Sequence, residues 1–347
     1  VAGVNVIQTS GQPGTAAKIR IRGFGSVNGN RDPLYVVDGV PFDGGATALN
    51  TINPSDIENL TILKDATATA VYGARGANGV VVITTRSGKS NRSSIEVDFK
   101  TGVNVSLLPR YESIKSPEEY IGISWTAMRN RGVLTGESNP ESFANANLFG
   151  PAGINTNYNM WNVANTSELI DPLTGQVRAG VTRKYNPEDW EDYGFQTSYR
   201  QEANLRFSGG NEKTRYFSSI GYLDDQGYVI NTDFKRYTTR LNLNHEIRDW
   251  LKGGASMGYT VSRTNNPGQS SDSNSVFWFV DNIPSIYPLF LRDANGDKVA
   301  DPFFGGNQYD YGTDANGLAS RGLGGLTNSI ADATNNKSRT DEYNLIR

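Results

Sequence analysis

Three stretches of this 347-residue sequence carry residue types at spacings that chemistry could use. Residues 293–301 read DANGDKVAD and set Asp293, Asn295, Asp297 and Asp301 in the manner of a calcium loop. The glycine falls at the fourth position rather than the sixth, and Phe304 stands where a bidentate glutamate belongs. An Asn-Gly hairpin turn between LFLR and KVAD accounts for the same residues without metal, and is the expected reading. The glycine-rich GFGSVNG (Gly23, Gly25, Gly29) and GARGANG at 73–79 fail the spacing of a phosphate-cradling loop and read as turns. The third stretch is KIRIR at 18–22. In a strand, Lys18, Arg20 and Arg22 would share one face and Ile19 and Ile21 the other.

Other chemistries are poorly supplied. No cysteine is present, which removes disulfides, thiolate nucleophiles and cysteine-ligated zinc. His245 is the single histidine, too few for a histidine-based triad or a multi-histidine metal site. Carboxylates are plentiful, but no spacing singles out a glycosidase pair. Lys+Arg of 33 against Asp+Glu of 36 gives a net charge of -3, which argues against a nucleic-acid binder relying on phosphate neutralisation. No catalytic residue and no cofactor is expected.

The elements that must position these residues fall into two kinds. Residues 1–90 read as a compact α/β unit, with strands at Lys18–Arg22, Leu34–Val37 and Val80–Thr85 and a short helical stretch near Asp65–Tyr72 ending against glycines. VVVIT reads as a strand buried on both faces, and the Asp-Gly of LYVVDGVPF as a hairpin turn. From residue 94 the period becomes two. Ile95, Val97, Phe99, Thr101, Val103, Val105 and Leu107 share one face, with Glu96, Asp98 and Lys100 on the other. The pattern recurs at 200–209, 213–224, 236–247, 251–262 and 338–347. Tyr237, Leu241, Leu243 and His245 fall on the apolar parity of the fourth strand, and Arg236, Thr238, Arg240 and Asn242 on the polar one.

The connections are segregated. GGNEK and Arg248–Trp250 make tight turns at one end of the strands; DDQGYVINTDFK and two much larger loops lie at the other. Outer-membrane barrels have that layout, with short periplasmic turns and long extracellular loops. Phe207, Tyr216 and Trp250 near the tight turns, and Tyr222, Tyr237 and Tyr259 towards the other end, suit two aromatic belts. A mean hydropathy of -0.50 and the absence of a long apolar run do not oppose this, because a transmembrane barrel alternates and averages out polar. Six strands cannot enclose a folded unit, so more wall is expected beyond Arg347, and both ends of the sequence read as cut.

IRIRGFGSVNGNRDPLYVVDGVPF, INPSDIENLTILKDATATAVYGARGANGVVVITTRSGK and, more loosely, VDNIPSIYPLFLRDANGDKVADPFFGG resemble the SusC/RagA family of TonB-dependent outer-membrane transporters. The resemblance implies an α/β plug domain (1–90) followed by antiparallel transmembrane β-barrel strands and loops (91–347), part of a 22-stranded barrel. It implies a SusD-like surface lipoprotein as lid, TonB as energy source through a region absent here, outer-membrane lipid around the wall, and oligosaccharides or peptides as substrate. In that architecture Arg20 and Arg22 are expected to seat the plug on wall carboxylates, Glu96 and Asp98 first, with Glu202, Glu246 and Glu342 further candidates. Loop aromatics, among them Trp125, Trp161, Trp190, Trp278, Tyr287 and Tyr309, are candidates for contact with substrate or lid, or for loop cores. His245 is expected at the lipid interface. Two rivals are a secreted glycan-binding or glycan-cleaving β protein and a passive structural barrel.

Overall fold

A computed structural model describes residues 3–8, 10–23, 31–42, 45, 48–64, 70–106, 112–267, 275–312, 321–322, 327–336 and 338–346. Gly25, Gly29, Leu107 and residues 65–69 of the expected helix lie outside them. The chain divides into two compact units. One comprises Val1–Val105, Thr197–Asn266 and Ser338–Arg347; the other comprises Ser106–Gln196 and Pro267–Lys337.

In the first unit, β1 (Val4–Ile7) pairs antiparallel with β2 (Lys18–Ile21). β3 (Leu34–Val37), β4 (Val40–Phe42), β5 (Ile57–Leu63) and β6 (Val80–Thr85) form a second sheet of order β4-β3-β6-β5. β3 and β6 run parallel, with Leu34 opposite Val80. Successive side chains of β3 enter two different apolar clusters. Tyr35 and Val37 meet Ile19, Ile21, Val81 and Ile83, whereas Leu34 and Val36 meet Val80. Burial on both faces is what an unbroken run of β-branched residues suits. β3 turns into β4 through Asp38 and Gly39, both at positive φ (48° and 87°), the conformation of a two-residue type I′ hairpin turn. The described part of the expected helix is a 3-10 stretch, Ala70–Gly76, broken at Gly73.

The basic row at 18–22 is shorter than its alternation implies. β2 ends at Ile21, and Arg22 sits at φ 54°, in the left-handed region, so it leaves the face that Lys18 and Arg20 share.

β7 (Ser94–Asn104) begins the wall. After a two-residue ladder, β8 (Ile170–Asp171) with β9 (Gln176–Val177), the wall continues as β10 (Ser198–Gly210), β11 (Thr214–Gln226), β12 (Asp233–Arg248), β13 (Leu251–Asn265) and β14 (Arg339–Ile346). These six form one open antiparallel sheet of order β14-β13-β12-β11-β10-β7, each strand beside its chain neighbour in the wall. Residues 211–213 and 249–250 turn at one end. Residues 227–232, 105–197 and 266–338 connect at the other, the first of these shorter than expected because β11 and β12 extend into it.

The sheet is amphipathic in the inverse sense. Ile95, Val97, Phe99, Ile220, Leu241, Leu243 and Met257 are all exposed on one face. Asn204, Arg206, Ser219, Arg236, Thr238, Arg240, Asn242 and Thr260 are buried on the other. Tyr222 and Tyr237 pair across β11 and β12 with ring centroids 5.1 Å apart, and Trp250 is exposed at a tight turn.

The second unit has its own apolar core. The helix Pro117–Leu134 starts at Ser116, whose hydroxyl accepts from Glu119 N–H (3.3 Å). It packs Ile121 and Trp125 with Tyr158, Met160, Trp161, Leu169, Ile170, Ile286 and Tyr287, drawn from both long connections.

Candidate functional site

The polar face of the wall is not left to water. Along β12 alternate side chains point at the compact N-terminal domain, and that domain presents backbone and side-chain acceptors to them. Arg240 Nη1 donates to Asp38 Oδ2 (2.9 Å) and to Thr85 Oγ1 (3.1 Å). Asn242 Nδ2 donates to the carbonyl of Arg86 (2.7 Å) and to Thr85 Oγ1 (3.0 Å). Arg236 Nη1 donates to the carbonyls of Asn50 (3.1 Å) and Ile52 (3.3 Å). From β13, Thr260 Oγ1 donates to the carbonyl of Thr51 (2.6 Å).

The segment NTINPSD (50–56) is the other half of this contact. Asn53 Nδ2 donates to Asn204 Oδ1 of β10 (2.5 Å), and Ser219 Oγ of β11 donates to Asp56 Oδ2 (2.7 Å). Gly221 admits Asn53, since a Cβ there would lie 2.4 Å from Asn53 Nδ2. Thr51, Asn53 and Asp56 are all buried. Burial pushes the Asp56 carboxyl above its ordinary range; the Ser219 hydrogen bond and the guanidinium groups of Arg240, Arg206 and Arg86 oppose the shift.

The seating is therefore real, but its polarity is the reverse of what the sequence suggests. Arg20 does not reach the wall; its Nη1 pairs with Asp32 at 2.8 Å inside the N-terminal domain. Glu96 and Asp98 are taken by Arg206 of the adjacent strand, with Arg206 Nε donating to Glu96 Oε2 at 3.1 Å. Register explains this: Glu96 lies directly opposite Arg206, so the pair forms across neighbouring strands with no reach required. Glu96 does receive one arginine from outside the wall, Arg86 at 3.5 Å, across a crevice of about 350 Å³ that also touches Ile57 and Phe217. Glu202 pairs with Lys100 and Arg200, and Glu246 with Lys252.

The linker from β6 to β7 is bound to the wall as closely. A Cβ at Gly88 would lie 2.3 Å from the Tyr216 carbonyl and 2.4 Å from the Gly209 carbonyl, so only glycine lets the chain cross there. Ser90 Oγ donates to the Asn211 carbonyl (3.0 Å) at the tight turn.

Four of the six candidate loop aromatics face inward, whereas Phe303 and Phe304 of the later loop are exposed. Trp125, Trp161, Trp190 and Tyr287 are buried, which removes them as surface contacts for a ligand or lid. The indole N–H of Trp125 donates to Asn145 Oδ1 (2.7 Å) and that of Trp190 to the Tyr287 carbonyl (3.0 Å). Trp278 packs against Phe279 with centroids 5.4 Å apart, and Tyr309 against Phe290 at 5.0 Å. Asp293 and Asp301 of the calcium-like stretch are engaged locally. Asp293 Oδ1 accepts from the N–H groups of Asn295 (2.9 Å) and Asp297 (2.8 Å), and Asp301 Oδ1 from those of Phe303 (2.9 Å) and Phe304 (3.0 Å). Both aspartates close their own turns, Arg292 pairs with Lys298 as a hairpin, and no group of three or more potential ligands converges among the described residues. His245 is exposed on β12, and its Nδ1 shares a hydrogen bond with Thr214 Oγ1 (2.8 Å).

A domain held by hydrogen bonds to the polar face of a sheet whose other face is apolar has known counterparts. Residues 1–80 match the family TonB-dependent Receptor Plug Domain. The chain is 34% identical over 248 residues to TonB-dependent receptor SusC of Bacteroides thetaiotaomicron, covering 70% of this chain and 20% of that one. The chain is SusC/RagA-like. A TonB-dependent receptor of Formosa agariphila is 32% identical over 75% of this chain and 22% of its own. The RagAB peptide importer in its closed-closed state superimposes with a TM-score of 0.63 at 30% identity, covering 89% of this chain and 33% of that chain. The chain thus spans about a fifth of SusC and a third of the solved RagAB chain. These relatives are receptors and transporters rather than enzymes, and the plug followed by antiparallel strands is the architecture they share with this chain.

The residues that sequence reasoning missed are Asp38, Thr85, Asn53, Asp56 and the wall cations Arg236 and Arg240. The parity of β12 places both arginines on the polar face. The signal was a row of cations with no carboxylate opposite them in the neighbouring strands.

Proposed function

We propose that this chain is the plug and the first wall strands of a TonB-dependent importer in the outer membrane of a Gram-negative bacterium. The observation that carries the reading is the inverted sheet: its apolar face suits lipid, and its polar face is bonded to the plug rather than to water. Residues 1–90 act as the movable stopper and residues 91–347 as wall and loops. Substrates are oligosaccharides or peptides, captured between the loops and a SusD-like surface lipoprotein. TonB then pulls on the plug, the plug–wall bonds break, and the substrate passes to the periplasm. The likeness to a peptide importer supports the peptide class.

The test is uptake by cells expressing the full-length transporter, with and without TonB and with and without the neighbouring lipoprotein. Labelled oligosaccharide and peptide pools should accumulate only when TonB is present. Uptake unaffected by loss of TonB would refute the reading.

A further inference from the structure

The contact between Arg240 and Asp38 is built unevenly, and the unevenness bears on how the plug lets go. Asp38 makes its shortest bonds within the plug. Its carboxylate accepts from Thr85 N–H (2.8 Å) and from Thr85 Oγ1 (2.7 Å), and its own N–H donates to the Ile83 carbonyl (3.0 Å). From the wall it accepts from Arg240 and, at a longer 3.3 Å, from Ser256 Oγ of β13. The type I′ turn holds Asp38 in position with or without the wall. Arg240 is placed differently. Its side chain is 4% exposed, and the acceptors of its guanidinium, Asp38 and Thr85, belong to the plug. Gly258, opposite Arg240 in register, leaves the space the guanidinium fills; a Cβ there would stand 3.2 Å from Nη2.

We propose that Arg240 is the positioning residue that latches the plug, and that the latch parts on the wall side of the Asp38 carboxylate. The plug then departs with its Asp38–Thr85 turn intact, and the loss falls on Arg240, which gives up both acceptors and must be hydrated. A plug held this way can be released and reseated without refolding, because no bond inside it has to break. The proposal rests on the importer reading above and names what controls that same interface.

The experiment uses the full-length transporter in cells, with permeability to a large hydrophilic antibiotic such as vancomycin as the readout. Arg240→Met should raise the leak by at least about tenfold, the change in an equilibrium that the charge-assisted bond to Asp38 alone would bring, with the bond to Thr85 lost as well. Arg240→Lys, which keeps the charge, should restore exclusion, an outcome that a purely structural role for the side chain would not give. Resistance of the barrel to SDS before heating reports whether the wall has assembled. If Arg240→Met fails that check, Asp38→Asn tests the same contact with the wall sequence untouched and should leak similarly. Exclusion at the parental level in both Arg240→Met and Asp38→Asn would overturn the latch. Uptake that persists without TonB would instead overturn the importer reading beneath it.

Discussion

Asp56 is buried with one carboxylate oxygen on Ser219 and the other without a hydrogen-bond partner. Its pKa is raised, chiefly by burial. A carboxyl whose pKa is higher seated than free contributes stability that is full below its free value and is lost as the pH rises through the raised one. Seating should therefore tighten as the pH falls from neutral into that range. Asp56→Asn, which carries no charge to desolvate, should seat the plug at least as tightly as the parent at neutral pH. It should also flatten the pH dependence. Thermal release of the plug, followed across pH in both proteins, checks this; a parent whose release does not vary with pH would refute it. Little of this was legible in NTINPSD. A run of small polar residues around a proline reads as a hydrated loop, and in a fold whose interior is polar the sequence of a buried segment and that of an exposed one look alike.

The wall strands were legible for the opposite reason. A strand with lipid on one side and protein on the other must alternate strictly, so Ile95, Val97 and Phe99 declare their face by parity alone. The outer face of β12 gives a test that depends on depth. Leu241→Lys, in mid-strand, should cost about 2–4 kcal/mol on insertion into lipid, and Ile247→Lys, near the tight turn, about 0–1 kcal/mol. Equilibrium folding of the full-length protein into vesicles measures both, and equal costs would contradict a spanning strand. Alternation could not show which arginine meets which acid. That depends on register, which sets Arg206 directly opposite Glu96 and leaves Arg20 to find Asp32 nearby in its own domain.

At the scale of the whole molecule, the chain relies on two kinds of internal contact. The strands and plug meet through many polar atoms, with Ile346 of β14 joining the plug's apolar cluster, while Ser106–Gln196 and Pro267–Lys337 close over buried tryptophans. The sequence showed the aromatics but not their partners, because Tyr287 and Ile286 join Trp161 from a connection on the far side of four strands. Trp161→Ala should destabilise that second unit by about 3–5 kcal/mol. Limited proteolysis should then cut within 106–196 and 267–337 and leave the strands whole; an unchanged digestion pattern would refute the shared core.

The polar make-up of the plug seat has a calorimetric consequence. Unfolding a water-soluble domain wets apolar surface, and its heat capacity rises steeply; wetting polar surface lowers it. Pulling this plug from its socket uncovers many amides, hydroxyls and guanidinium groups beside apolar contacts such as Ile346 with the plug cluster and Phe234 with Gly14, so the heat capacity should rise less steeply than for an all-apolar contact of the same size. The work needed to open the gate should then vary with temperature with less curvature than ordinary denaturation shows.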